Sequence, residues 1–343
     1  MYRLGKRSPL LTLEDQGLSE LYSLAHSTET SEALSSLCLS SCGTTLATVA
    51  PGVCSLWKLS DMKPLVSWKL PKPTRERLSS AHFNPTNTLV LTSNASEAVS
   101  LHDSRVPDIV AHWGSGGRAV LRATLEVPPS FKSVMQPVDD TATDARFVSE
   151  LTACVARVDG SVWHYDLRTF GALAATVVFS DGLLSLVGNN AGRLGAAATS
   201  GHLRLLACPE LGILQTHSCD KPSRGVALSE SAPFAAFTLE AGAVRICDLV
   251  RGGWRQFSSG KTAASADLEA LISRYTQPAR VIPAWSGSRL FVPSTRGLAV
   301  YDAVAEQWLA TLTTEPMTLV HSAGSLVVAA SASGLHSWRK VTS

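Results

Sequence analysis

Gly260-Lys261-Thr262 follows a strand-like segment and precedes a helical pattern. That is the setting in which backbone amides and a lysine can cradle a phosphate. The chemistry needs a further glycine five residues before Gly260; Arg255 stands there, and Gly253 comes two residues too early. No Gly-x-Ser-x-Gly elbow is present to raise a serine nucleophile. The nine histidines are scattered, without the His-x-x-x-His or Glu-x-x-His spacing that puts two ligands on one helix face. His102 and His112 flank the end of a strand, where structural roles are expected. The seven cysteines, Cys38, Cys42, Cys54, Cys154, Cys208, Cys219 and Cys247, form no Cys-x-x-Cys pair. No catalytic, cofactor or metal site is expected from these spacings.

Two other clusters bear on binding. Lys69, Lys72, Arg75 and Arg77 form a basic run broken only by Glu76. It reads either as a solvated loop or as a contact for phosphate or an acidic peptide. It has no interleaved aromatics for base stacking. A second stretch carries Trp113, Arg118, Arg122, Phe131, Lys132 and Met135, then turns acidic at Asp139, Asp140 and Asp144. Tryptophan and arginine are the side chains that dominate protein interfaces.

The elements that position these residues follow from composition and period. Of 343 residues, 45% are hydrophobic and 17% charged, with a formal net charge of +2. That excludes a disordered chain and a global basic field for nonspecific nucleic-acid binding. No apolar run approaches the roughly 18–20 residues of a membrane-spanning helix. The N-terminus is basic up to Glu14 but lacks the apolar core of a secretory signal. It reads as a short basic lead into a strand, with a distant likeness to an organelle presequence. Dispersed, odd-numbered cysteines suit reduced thiols inside the cell, in cytoplasm or nucleus, with organelle import left open.

Seven segments share one pattern: a small-residue strand, a glycine-bearing or polar turn, then a strand ending in an aromatic or apolar residue and often Asp. They span 45–59, 88–103, 151–167, 193–207, 233–249, 289–302 and 325–339. Aligned on Trp57, His102, Tyr165, Leu206, Cys247, Tyr301 and Trp338, their spacings are 45, 63, 41, 41, 54 and 37 residues. These cluster near the roughly 40–45 residues of a four-stranded blade. The turns, among them Ala50-Pro51-Gly52, Asp159-Gly160 and Ser200-Gly201, suit tight hairpins.

This resembles the WD-repeat β-propeller family over almost the whole chain. The likeness is carried by His102-Asp103, Tyr165-Asp166, Cys247-Asp248 and Tyr301-Asp302, with Trp57-Lys58 and Trp338-Arg339 as degenerate forms. No repeat has a Trp-Asp pair, and the one Gly-His pair, Gly201-His202, falls in a hairpin turn. The family's buried His–Asp–Ser–Trp network is therefore expected to be absent from most blades. The fold class expected is all-β: one seven-bladed propeller over 1–343. An N-terminal strand, at Pro9–Leu13 or Leu21–Ala25, should close the last blade.

The two long spacings place insertions at about 113–144 and 259–279, after an outer strand and before the next inner one. Leu121–Val127 reads as an extra strand, and Ala266–Tyr275 as a short amphipathic helix with Leu268, Leu271 and Ile272 on one face. The resemblance puts both insertions and the 69–77 run on one face. The expected function is a noncatalytic scaffold or adaptor that holds protein partners in a larger assembly. Its contacts would be Trp113, Arg118, Phe131 and Met135, flanked by Lys72, Arg75 and Arg77. One alternative is a ribonucleoprotein subunit touching RNA phosphates; the 21 arginines against 9 lysines suit planar phosphate contacts. Another is a propeller enzyme working in its central funnel.

Overall fold

Each repeated segment is a hairpin of two middle strands, and each gains an inner and an outer neighbour. The computed structural model describes residues 22–30, 34–50, 52–69, 79–94, 98–105, 109–113, 119–121, 142–157, 159–169, 171–180, 185–188, 193–239, 243–257, 281–294, 297–313, 315–332 and 334–340. All regular structure among them is β-strand.

Seven antiparallel sheets stand around one channel. Blade 1 comprises Ser36–Leu39, Thr45–Ala50, Val53–Lys58 and Lys63–Lys69. Blade 2 comprises Ser79–Phe83, Leu89–Asn94, Ala98–Asp103 and Ile109–Trp113, with a fifth strand at Ala119–Leu121. Blade 3 is Ala142–Phe147, Thr152–Arg157, Ser161–Asp166 and Gly171–Val177. Blade 4 is Ser185–Gly188, Arg193–Ala197, His202–Ala207 and Gly212–Ser218. Blade 5 is Ser223–Leu228, Phe234–Leu239, Val244–Asp248 and Trp254–Phe257. Blade 6 is Ala284–Ser286, Arg289–Ser294, Gly297–Asp302 and Gln307–Thr311. Blade 7 takes Met317–Ala323, Leu326–Ser331 and Gly334–Lys340 from the C-terminal end of the chain. Its outer strand is Tyr22–Glu29, paired antiparallel with Gly334–Lys340. Of the two closing segments the sequence offered, the second closes the ring, and it is longer than expected.

Apolar burial lies between blades rather than at one centre. Seven clusters fill the seven interfaces; one joins Leu46, Leu39 and Met62 of blade 1 to Val328, Ala330 and Leu335 of blade 7. Each blade therefore buries both faces, which is why the second strands run as small or β-branched residues without polar alternation. Strands rich in Ser, Thr and Ala would also suit crowded packing around a narrow central channel, but these are the second strands, and the inner strands line the channel.

The frequent Asp has a local purpose. Asp103, Asp166, Asp248 and Asp302 end their third strands, and each accepts a hydrogen bond from the backbone N–H two residues on, at 2.8–2.9 Å. The side chain thus stands in for a turn. Arg168 also donates to both Asp166 oxygens, and it holds that carboxyl down at about 2. Asp166→Ala should lose about 1 kcal/mol of stability, as for one removed hydrogen bond. A carboxylate with a depressed folded pKa stabilises above its unfolded value, and this is lost as pH falls through the folded one. Urea unfolding should therefore show the gap to wild type closing as pH drops from about 4 towards about 2.

The residue before the Asp is equally regular. In six blades the ladder between third and fourth strands slips by one residue beside Trp57, His102, Tyr165, Leu206, Tyr301 and Trp338. The extra residue on the fourth strand is Leu65 in blade 1, Leu173 in blade 3 and Leu214 in blade 4, all exposed. Trp57 Nε1 donates to Thr48 Oγ1 at 2.8 Å, and His102 Nε2 meets Thr92 Oγ1 at 3.0 Å. Blades 1 and 2 therefore each tie the aligned residue to a second-strand threonine. Burial against Trp68 pushes His102 down to about 4 and keeps it neutral.

The hairpin glycines answer a close approach. A Cβ on Gly160, where φ is +80°, would sit 1.8 Å from the Phe179 carbonyl oxygen. The chain leaving blade 3 crosses directly over that turn.

The described residues bear on two expectations about insertions. An extra strand lies at Ala119–Leu121 and pairs Ala119 with Trp113 and Leu121 with Ala111; residues 122–127 of the strand expected at Leu121–Val127 lie outside the described residues. Ala142–Phe147 is the inner strand of blade 3, so Asp144 belongs to the channel wall rather than to an acidic loop. The helix expected at 266–275 lies outside the described residues.

Candidate functional site

The inner strands converge on a channel with a cavity of about 130 Å³. Strand register decides what faces what. Cys38, His82, Arg146 and His321 lie opposite Ala47, Leu91, Cys154 and Val328, each the third residue of a second strand. Blades 4, 5 and 6 place Val187, Ala227 and Ala284 at that same position. One tier of the wall is thus polar across blades 7, 1, 2 and 3 and apolar across blades 4, 5 and 6. Two residues earlier comes a tier of Ser36, Ser80, Asp144 and Ser185. Side chains two apart on a strand share a face, so the two tiers stack.

Asp144 is buried and joins three blades. Its carboxylate accepts from Ser80 Oγ at 2.6 Å, Ala145 N at 2.9 Å and Leu186 N at 2.9 Å, and lies 3.5 Å from His82 Nε2. Burial disfavours the His82 cation, but Asp144 and the Cys38 sulfur outweigh that and raise its pKa. Cys38 is buried too, which opposes ionisation, yet the His321 and His82 imidazoles facing it hold the thiol well below its usual value. His321 Nδ1 accepts from Leu39 N at 3.4 Å. Thiol, imidazole and carboxylate therefore stand in sequence across blades 1, 2 and 3.

No family model matches this chain, and no curated protein does.

Among the described residues, no group of three His, Cys, Asp or Glu side chains is arranged to hold a metal ion. Among the described residues there is no helix long and apolar enough to cross a membrane. All seven cysteines are free thiols; Cys42 is exposed and Cys208 half-buried, while the other five are buried.

The contact residues expected from sequence are placed as follows. Trp113 ends the fourth strand of blade 2, its backbone paired with Val99 and Ala119. Arg118, Phe131, Met135, Lys72, Arg75 and Arg77 lie outside the described residues, as does Gly260-Lys261-Thr262. The strands flanking them fix where their segments leave the fold. The stretches 70–78, 122–141 and 258–280 each run from the last strand of one blade towards the inner strand of the next.

Sequence reasoning missed Cys38, His82, Asp144, Arg146 and His321. They are dispersed over nearly 300 residues, so no linear motif joins them. Their common signal is register: each sits on the strand just before a recognised repeat, and aligning those preceding strands stacks them.

Proposed function

We propose that the chain is a degenerate WD-repeat propeller that serves as a noncatalytic scaffold, binding protein partners within a larger assembly inside the cell. The observation that carries this is topological. The connections 70–78 and 258–280 leave a fourth strand and enter the next inner strand at one face, and Trp113 ends the fourth strand of blade 2 at that same face; the fifth strand of blade 2 reverses the chain once more, so 122–141 starts from the opposite end of the blade and returns to the shared face at Ala142. Rigid sheets below and enlarged connections above are the arrangement by which scaffolds present contact surfaces. The seven free thiols suit a reducing compartment, cytoplasm or nucleus. Replacing 122–141 by a short Gly-Ser linker spares Asp144 and the inner strand of blade 3. Affinity purification with this variant is expected to lose at least one partner that the full chain retains. An unchanged partner set would remove the proposal's main support.

A second reading is favoured by one observation, the order Cys38, His82, Asp144. A thiol activated by an imidazole that a carboxylate orients is the arrangement of a cysteine nucleophile. On this reading the funnel carries out chemistry on a small electrophile. Iodoacetamide should then label Cys38 faster at neutral pH than Cys54, whose burial pushes it up to about 12. Asp144→Asn should slow that labelling. Equal rates for the two thiols would exclude a reactive Cys38.

A further inference from the structure

The polar arc of the channel holds a cation, Arg146, that no carboxylate among the described residues neutralises. Arg146 lines the cavity, and its Nη1 donates to the Leu186 carbonyl at 3.5 Å. Among the described residues no carboxylate lies within ion-pair distance of it. Asp144, two residues away on the same strand, is occupied by Ser80, two backbone N–H groups and His82. Glu230, the other acid lining the cavity, stands beyond the end of its strand at the channel mouth and is exposed. Room for the guanidinium is built in. A Cβ on Gly188 would come within 3.0 Å of Arg146 Nε, so the glycine keeps that space open. The opposite wall is apolar, with Val187, Ala227 and Ala284 in the same tier and Ile282 and Val226 beside them.

We propose that the central channel is a binding site for a small monocarboxylate with an apolar body, its carboxylate on Arg146 and its body against the wall of blades 4, 5 and 6. Three features select this class. A guanidinium is a planar, weakly hydrated fork that matches a carboxylate in two-point contact. A half-buried cation whose one described partner is a carbonyl lacks a counter-ion, so an anion of matching size gains a charge-assisted pair. The cavity volume is close to that of the roughly 150 Å³ apolar cavity known to take benzene, so the ligand is of one-ring size. A peptide or nucleic acid strand is too large for it. His82 on the neighbouring blade, and His321 two blades beyond it, also line the cavity and add polar surface on the carboxylate's side.

The proposal is independent of whether the loop-bearing face docks proteins, and it is tested on the full chain alone. Calorimetric titration or ligand-observed NMR is run with benzoate and with its neutral isostere benzamide. Benzoate is expected to bind saturably at one site and benzamide at least about tenfold more weakly, as loss of a charge-assisted pair implies. Arg146→Gln should weaken benzoate by about tenfold or more and leave benzamide unchanged. Ala227→Leu keeps Arg146 and fills the apolar side; it should abolish binding of both. It also supplies the test if Arg146→Gln does not fold. Absence of benzoate binding to the folded chain would overturn the proposal. So would equal affinity for the two ligands, or benzoate binding that survives Ala227→Leu.

Discussion

Removing residues 1–29 is expected to lower the melting temperature by more than about 5 °C and to make the chain self-associate. The strand Tyr22–Glu29 pairs along the full length of Gly334–Lys340, and without it that ladder becomes an open edge. Most of its side chains point to solvent. The loss is therefore mainly of backbone hydrogen bonds, each worth about 0.5–1.5 kcal/mol net. One side chain is the exception. Tyr22 is buried edge-on against Phe291 at 5.5 Å, with the Arg289 guanidinium 5.3 Å from its ring. Tyr22→Ala alone should cost about 3 kcal/mol, as for other buried aromatics, and the truncation should cost more. Thermal melts with size-exclusion chromatography compare the three chains. Melting of the truncated chain within about a degree or two of full length would mean that this strand does not secure the ring.

Asp144→Ala is expected to cost about 3–5 kcal/mol, the range for removing one partner from a buried charged network. The change strands the Leu186 N–H and takes the charged acceptor from the Ser80 hydroxyl, leaving that hydroxyl with Ser93. Asp144→Asn keeps one acceptor and should cost less. The effect depends on pH through His82, whose folded pKa is raised. A raised imidazole contributes fully below its unfolded value near 6.5 and is lost as pH rises through the folded value. Urea midpoints should thus show the gap between Asp144→Ala and wild type narrowing on the alkaline side. A gap that is constant, or that widens, would mean that Asp144 does not stabilise the His82 cation.

The fold was largely readable from the sequence because each hairpin repeats the same local constraints. Asp166 closes a turn and Gly160 admits a crossing chain; both requirements leave a residue type at a fixed offset. Inner strands carry no such mark. Ser36–Leu39 and Ser185–Gly188 are only four residues long, and their composition reflects two neighbouring blades at once. That is why Asp144 read as part of an acidic stretch and Cys38 as one more dispersed cysteine. The channel tier exists only after seven registers are superposed, and the polar arc spans blades whose residues lie far apart in the chain. The contact residues proposed at 72–77 and 118–135 rest on composition alone, since a partner surface leaves no periodic trace in a sequence.

The pairing of Tyr22–Glu29 with Gly334–Lys340 also sets an order of events during synthesis. The first strand leaves the ribosome about 300 residues ahead of its partner, or roughly 15–60 s at about 5–20 residues per second. For that interval it must stay extended and uncommitted while blades 1 to 6 assemble beside it. Its own sequence suits the wait: outward-facing Ser23, His26, Ser27 and Glu29 dilute its apolar content to Tyr22, Leu24 and Ala25. A nascent chain stalled before residue 334 would therefore hold blades with a loose leading strand, open to capture by any chaperone that recognises an unpaired edge.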